Sequence, residues 1–158
     1  IEAREQPPQH YLRDVIPLFD IIFIDYPPTL GILTINALIA AQSILIPVQC
    51  EYYAMEGLSR LVGNIDRVRQ SFNPALKLEG IILTMFDARN TLARQVVAQV
   101  REHFKEVVYS TMIPRNVTLA EAPSYGRPAM LYNVASAGSQ AYLSLAKEFV
   151  SHGEESAR

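Results

Sequence analysis

Asp25 is the residue whose setting most clearly suggests chemistry. Ile21, Ile22, Phe23 and Ile24 form an apolar run that ends in this carboxylate, and Tyr26, Pro27, Pro28, Thr29 and Gly31 follow it. A short apolar run bounded by breakers reads as a strand buried on both faces of a parallel sheet. Proline cannot continue a ladder, so the strand is expected to end at Asp25. The carboxylate then stands at the C-terminal edge of the sheet, where open α/β folds bind ligands. An aspartate there suits a magnesium ion held beside nucleotide phosphates. A strand-end aspartate that caps the next turn explains the same residues equally well.

A second group of candidates is basic. Between Ala88 and Thr118 stand Arg89, Arg94, Arg101, Lys105 and Arg115, against Glu102 and Glu106. A local excess of this kind can hold a phosphate backbone without reading sequence. By charge alone, an ordinary solvated helix face is the commoner explanation. Glu51 with Tyr52 and Tyr53 has the composition of a sugar site, a weaker reading. No Ser-His-Asp arrangement or metal-ligand spacing of histidines is present, since His10, His103 and His152 are scattered. Cys50 is the single cysteine, so an internal disulfide and a cysteine metal site are excluded; it reads as a small buried hydrophobe. No G-x-x-x-x-G-K-[ST] phosphate loop occurs in the sequence.

The elements that must carry these residues alternate. A short helix is expected over Tyr11 to Leu18, then the strand ending at Asp25, then a helix from about Ile32 to Ala41 capped by Thr29. Ser43 to Val48 reads as a second buried strand closed by Pro47. A long amphipathic helix follows from about Met55 to Phe72, its stripe made by Leu58, Leu61, Val62, Ile65, Val68 and Phe72, and Asn73-Pro74 ends it. Leu78 to Met85 is a third strand. A polar loop with Asn90 or Thr91 as cap leads into a helix marked by Leu92, Val96, Val97, Val100 and Phe104. Val107 to Ile113 is a fourth strand stopped by Pro114. Leu119 to Ala122 is expected to form one helical turn in the long connection to a last helix, Gly138 to Val150, with a frayed tail from Ser151 to Arg158. Strand and helix in alternation give an α/β class with a parallel sheet and flanking helices.

The 158 residues suit one domain, and the absence of an internal repeat or dividing linker agrees. An apolar share of 49% with a net charge of −2 describes a globular chain and excludes a polycation, so any nucleic-acid surface is a local patch. No signal peptide or membrane-spanning run is seen, which makes cytoplasm the default. The polar start, Ile1 to His10, reads as though the chain begins partway into a larger protein.

Four stretches, in order, resemble the ParA/Soj chromosome-partitioning ATPases, members of the deviant-Walker P-loop group that also holds MinD. The apolar strand with Asp25-Tyr26-Pro27-Pro28-Thr29-Leu30-Gly31 is similar to their Walker B and switch II region, with Tyr26 for the usual cysteine and Thr29 for the usual serine. Gln49-Cys50-Glu51-Tyr52-Tyr53-Ala54-Met55-Glu56-Gly57-Leu58 and Leu83-Thr84-Met85-Phe86-Asp87-Ala88-Arg89 match next. Ile113-Pro114-Arg115-Asn116-Val117, with Glu121-Ala122-Pro123-Ser124-Tyr125-Gly126-Arg127-Pro128 just beyond it, is the fourth. Together they span about Asp20 to Val150. The resemblance implies a P-loop NTPase-like sheet, ATP and Mg²⁺ as cofactors, and an ATP-dependent homodimer. It also implies non-specific DNA binding at the nucleoid and a ParB-type centromere-binding partner that stimulates hydrolysis.

Residue by residue, the resemblance implies that Asp25 holds Mg²⁺ through water and that Pro27, Pro28 and Gly31 shape switch II. Met85 and Pro114, Arg115 and Asn116 would wall the adenine pocket, with Asp87 expected to cap the following helix. Arg89, Arg94, Arg101, Lys105 and Arg115 would meet DNA, although Thr118 stands where the family carries a familiar basic residue. Glu51 to Tyr53 would lie near the nucleotide-dependent dimer interface. The family's phosphate loop is not among these residues, so the chain reads as the C-terminal portion of such an ATPase. Two rivals differ in kind. One is a non-catalytic module that keeps the interface and basic patch. The other is a MinD-like division-site ATPase, against which Glu154-Glu155 stands where a basic membrane helix would be needed.

Overall fold

The computed structural model describes residues 12–26 and 31–156. Its elements run α1 (Ile32–Ala40), β1 (Ser43–Gln49), α2 (Ala54–Ser71), β2 (Lys77–Thr84), α3 (Thr91–Phe104), α4 (Val117–Glu121), α5 (Ala129–Tyr132) and α6 (Ala137–Ser156). β1 and β2 are hydrogen-bonded neighbours joined through α2, which is the crossover that a parallel pair requires. The α/β class with a parallel sheet and flanking helices is therefore present. Pro47 does not close β1 as expected. It occupies an exposed position and the strand continues to Gln49, because β1 has one sheet neighbour among the described residues and a missing N–H on the other side breaks no bond. Phe72 lies just past the end of α2 and is 61% exposed, off the buried stripe on which its spacing had set it.

The chain divides into two compact units, Ile1–Ile44 with Ser59–Glu79, and Leu45–Leu58 with Gly80–Arg158. In the first, Ala37, Leu38, Ile44, Ile65, Val68 and Leu76 are buried. The last carbonyls of a helix have no intrahelical donor. Here the Asn73 side-chain amide donates to Leu38 O at 3.0 Å, Ile39 O at 3.2 Å and Ala41 O at 2.9 Å, closing α1 from a residue more than thirty positions away. The expected cap at the other end, Thr29, lies outside the described residues, and Gly31 is the N-cap without a side-chain bond.

The run Ile21 to Ile24 differs from expectation. It carries no regular secondary structure and joins no ladder among the described residues, and Ile21, Ile22, Phe23 and Ile24 are 48%, 37%, 70% and 38% exposed. Apolar character supplies the tendency to be buried, but a strand also needs neighbouring N–H and C=O groups. No strand ladder or isolated bridge among the described residues includes this run. Of the helix expected over Tyr11 to Leu18, the described part holds helix at Leu12, a turn over 13–15 and a 3-10 turn at Ile16–Leu18.

In the second unit β2 supplies the centre. Ile81 and Leu83 are fully buried, and Ile82 packs with Tyr109, Ile113 and Leu145. Ala93, Val96 and Val100 are the buried face of α3, and Asn90 caps that helix by accepting Leu92 N–H at 2.9 Å. The fourth strand appears as two parallel bridges, Ile81 with Val108 and Phe86 with Pro114. Tyr109 N–H donates to Ile81 O at 2.9 Å and Ile113 N–H to Leu83 O at 2.8 Å. Four residue steps on one side thus face two on the other, so the ribbon bulges between its anchors. The bulge exposes two amides to a new partner. Ser110 N–H and Thr111 N–H donate to the Glu148 carboxylate of α6 at 2.6 and 2.9 Å, and Arg101 of α3 donates to Ser110 O at 3.1 Å.

Gly80 is required beside this ribbon. A Cβ on it would run into Cε2 of the buried Tyr109 ring. Helix α6 runs on to Ser156, past the Val150 end expected from its apolar spacing and into the segment expected to fray.

Candidate functional site

Asp25 follows the apolar run Ile21 to Ile24, is exposed, and makes no hydrogen bond or ion pair with another described residue. Its neighbour Tyr26 is partly buried, which pushes the phenol pKa up. Pro27 and Pro28 lie outside the described residues. Gly31 starts α1 in extended geometry and accepts Ile35 N–H at 3.1 Å.

In the second unit, three loops at the C-terminal edge of the strands are tied together by main-chain bonds. Cys50 N–H donates to Thr84 O at 3.0 Å, Phe86 N–H to Ile113 O at 3.1 Å and Arg115 N–H to Phe86 O at 2.9 Å. Thr84 Oγ1 adds a bond to Val48 O at 3.2 Å. Met85, between these anchors, has φ 55°. A non-glycine residue in the left-handed region costs on the order of 1 kcal/mol and persists only where its surroundings enforce it. Met85 thus turns the chain sharply at the end of β2, next to the bridge that fixes Phe86 against Pro114. Close by in sequence, the Asn116 side-chain carbonyl Oδ1 is buried and accepts no hydrogen bond from the described residues. Buried polar atoms are nearly always paired, which sets this acceptor apart from its neighbours.

Asp87 does not cap α3, because Asn90 already does. Instead Asp87 folds onto Arg89. Its Oδ1 accepts Arg89 Nε–H at 3.1 Å and the Arg89 backbone N–H at 3.0 Å, and its Oδ2 accepts Nη2–H at 2.9 Å. The Arg89 side-chain bond, followed by the backbone bond, holds the Asp87 carboxyl down at about 2.

The other basic candidates are engaged unequally. Arg94 donates to Ala88 O at 2.6 Å and Thr91 Oγ1 at 3.0 Å. Arg101 is bonded to Ser110 O, and Arg115 Nη2 pairs with Glu51 Oε1 at 3.0 Å. Lys105 is exposed and meets no side-chain partner among the described residues. Arg89 and Arg115 are therefore neutralised by carboxylates, whereas Arg94 and Arg101 are held by neutral oxygens and keep their charge outward. Tyr52 and Tyr53, beside Glu51, pack edge to face at 5.0 Å with both rings 73% exposed. Among the described residues no group of three or more His, Cys, Asp or Glu is arranged to hold a metal, and no helix is long and apolar enough to cross a membrane.

A family model described as an AAA domain matches residues 2–78. The chain is 55% identical over 139 residues to the chromosome partitioning protein ParA of Myxococcus xanthus, covering 88% of this chain and 49% of the relative. It is 50% identical over 151 residues to the sporulation initiation inhibitor protein Soj of Bacillus subtilis, covering 96% and 60%.

The chain belongs to the ParA/Soj family.

It spans between 49% and 60% of the lengths of these two relatives. Among solved structures, a Mycobacterium smegmatis cobyrinic acid a,c-diamide synthase with bound ADP and magnesium is 34% identical with a TM-score of 0.64, over 78% of this chain and 56% of that one. The cell division ATPase MinD of Pyrococcus furiosus shares the fold, with a TM-score of 0.72 at 22% identity over 90% of this chain and 56% of that one.

Within this ParA/Soj chain, sequence reasoning missed the partners that fix the edge. Glu148 meets Ser110 and Thr111 across 38 and 37 positions, and Glu51 meets Arg115 across 64. No local pattern announces contacts at that range. The Asp87–Arg89 fork spans two positions and was open to inspection, since an Asp two residues before an Arg can close such a turn.

Proposed function

We propose that this chain works in chromosome or plasmid partition as a ParA/Soj-type ATPase. The reading includes dimerisation on ATP, non-specific DNA binding and stimulation by a ParB-type partner. The family relationship supports it, and one observation in the chain carries it: the buried Asn116 Oδ1 without a donor among the described residues, beside the strained turn at Met85. A carbonyl acceptor there suits the exocyclic amine of adenine, while Met85 and Pro114 offer flat apolar faces to a purine. Arg115 flanks the same turn. Asp25 suits an outer ligand of Mg²⁺, because its carboxylate is exposed and uncommitted to other described groups. Pro27, Pro28 and Gly31 shape the switch segment that follows it.

When bound, Mg²⁺·ATP supplies the phosphoryl group that water attacks. In this reading the chain's own residues do three things. Asp25 would hold Mg²⁺ through water, Asn116 would meet the base edge, and the Phe86–Pro114 bridge keeps the base-facing turns in register. Arg94, Arg101 and Lys105 present charge to a DNA backbone.

The test is ATP turnover in a form of the protein that carries a phosphate loop. Asp25→Ala should lower phosphate release by about 10- to 100-fold, the usual loss when an outer-sphere support is removed. Turnover at the unmutated rate would remove Asp25 from the mechanism. Calorimetry on the 158-residue chain is the companion measurement, with weak ATP·Mg²⁺ binding expected because its sequence holds no phosphate-loop lysine. Tight binding would mean that other residues hold the phosphates.

A further inference from the structure

We propose that Glu51 is a built-in competitor for Arg115, which it surrenders to a phosphate of duplex DNA. The inference rests on the DNA-binding part of the function proposed above and names the contact that regulates it.

The two carboxylate-paired arginines of the basic edge are held in different ways. Arg89 is gripped by a two-nitrogen fork on Asp87, and the same carboxylate also accepts its backbone N–H. Among the described residues Arg115 makes one side-chain hydrogen bond, Nη2 to Glu51 Oε1 at 3.0 Å, with the Asp87 carboxylate acting on it only through space, and the paired side chains are 57% and 56% exposed. An exposed single-contact pair contributes little, so exchanging its carboxylate for another anion costs little. A phosphate diester offers the guanidinium the same oxygen geometry that a carboxylate does. The main chain of Arg115 is fixed independently by its N–H bond to Phe86 O at 2.9 Å. Its side chain can therefore swing from Glu51 to a phosphate while the loop stays in place. Arg94 and Arg101 need no such release, since neutral oxygens hold them with their charge uncancelled. Glu51 thus sets how much of the edge's charge is on offer, and Arg115 is the part that depends on it.

The experiment is a double-mutant cycle in the ATP-loaded form of the protein that carries a phosphate loop, read as binding to a short random-sequence duplex between 25 and 200 mM salt. Glu51→Gln should raise affinity about two- to fivefold, the size of a released surface pair. Arg115→Gln should weaken binding and reduce the slope of log affinity against log salt by about 0.9, one phosphate contact. In the Arg115→Gln background, Glu51→Gln should then change nothing. An undiminished gain in that background would make Glu51 a general negative charge and overturn the proposal. So would an Arg115→Gln chain with unchanged affinity and slope. If neither the wild-type chain nor Glu51→Gln binds duplex at the lowest salt, the DNA-binding reading itself falls and takes this inference with it. Both side chains are exposed, so the fold is expected to survive each change.

Discussion

Asp87 and Arg89 show how one residue's role can be misassigned by its position. An acidic residue ahead of a helix invites a capping role, yet Asn90 stands closer to the helix start and takes Leu92 N–H. Asp87 is left to the arginine two positions on. The carboxyl pKa is lowered from 3.8 to about 2. A depressed carboxyl contributes stability that is present above its unfolded value and lost as pH falls through the folded one, so this turn should loosen between about pH 4 and pH 2. Following the Asp87 side-chain carbonyl carbon by NMR, Arg89→Ala should move the inflection back up toward 3.8. An inflection that stays near 2 would mean that the fork is not its cause. The orphaned Asn116 Oδ1 was partly legible, since an Asn after Ile-Pro-Arg suits a base edge. Its burial was not, because burial depends on what folds over it.

At the scale of the element, the bulged ribbon from Val108 to Pro114 is the informative case. Its apolar residues and stopping proline were legible as a strand, and its ends are held by a bridge to Ile81 of β2 and one to Phe86 just beyond that strand. The middle departs because two residues are inserted relative to β2, and their amides would be unpaired without Glu148. Burial raises the Glu148 carboxyl, but the Thr111 side chain and the Ser110 and Thr111 amides outweigh it and hold it below its ordinary 4.5. Its contribution is therefore present above pH 4.5 and lost as pH falls below that value. Glu148→Gln puts an amide NH₂ where one acceptor oxygen stood, so one of the two amides loses its bond. Urea unfolding at neutral pH should show a loss of about 1 kcal/mol. Unchanged stability would mean that water serves those amides as well as α6 does. The same long-range logic explains Asn73, whose side chain closes α1 although Asn73-Pro74 reads only as the end of α2.

For the molecule as a whole, the exposed apolar residues near the start of the chain set its behaviour in solution. Leu18 is 72% exposed, Phe19 61% and Leu33 73%, together with the run Ile21 to Ile24. Monomeric proteins rarely leave so many large apolar side chains of one region in water. Sedimentation velocity on the 158-residue chain should show self-association that grows with concentration, and Phe19→Ser combined with Leu33→Ser should reduce it. A monomer across the concentration range would show that this surface is tolerated by solvent.

The sequence by itself determined the alternation of strands and helices, the main helices and both paired strands to within a few residues, and membership of the ParA/Soj family. Periodicity, breakers and motif order are local quantities, and each element carries its own record of them. Only the tertiary structure decided which carboxylate meets which arginine, which amides a bulge leaves for Glu148, and whether the Ile21 to Ile24 run is covered. Those outcomes depend on pairing across tens of residues, where ladder geometry and burial select the partner and composition does not.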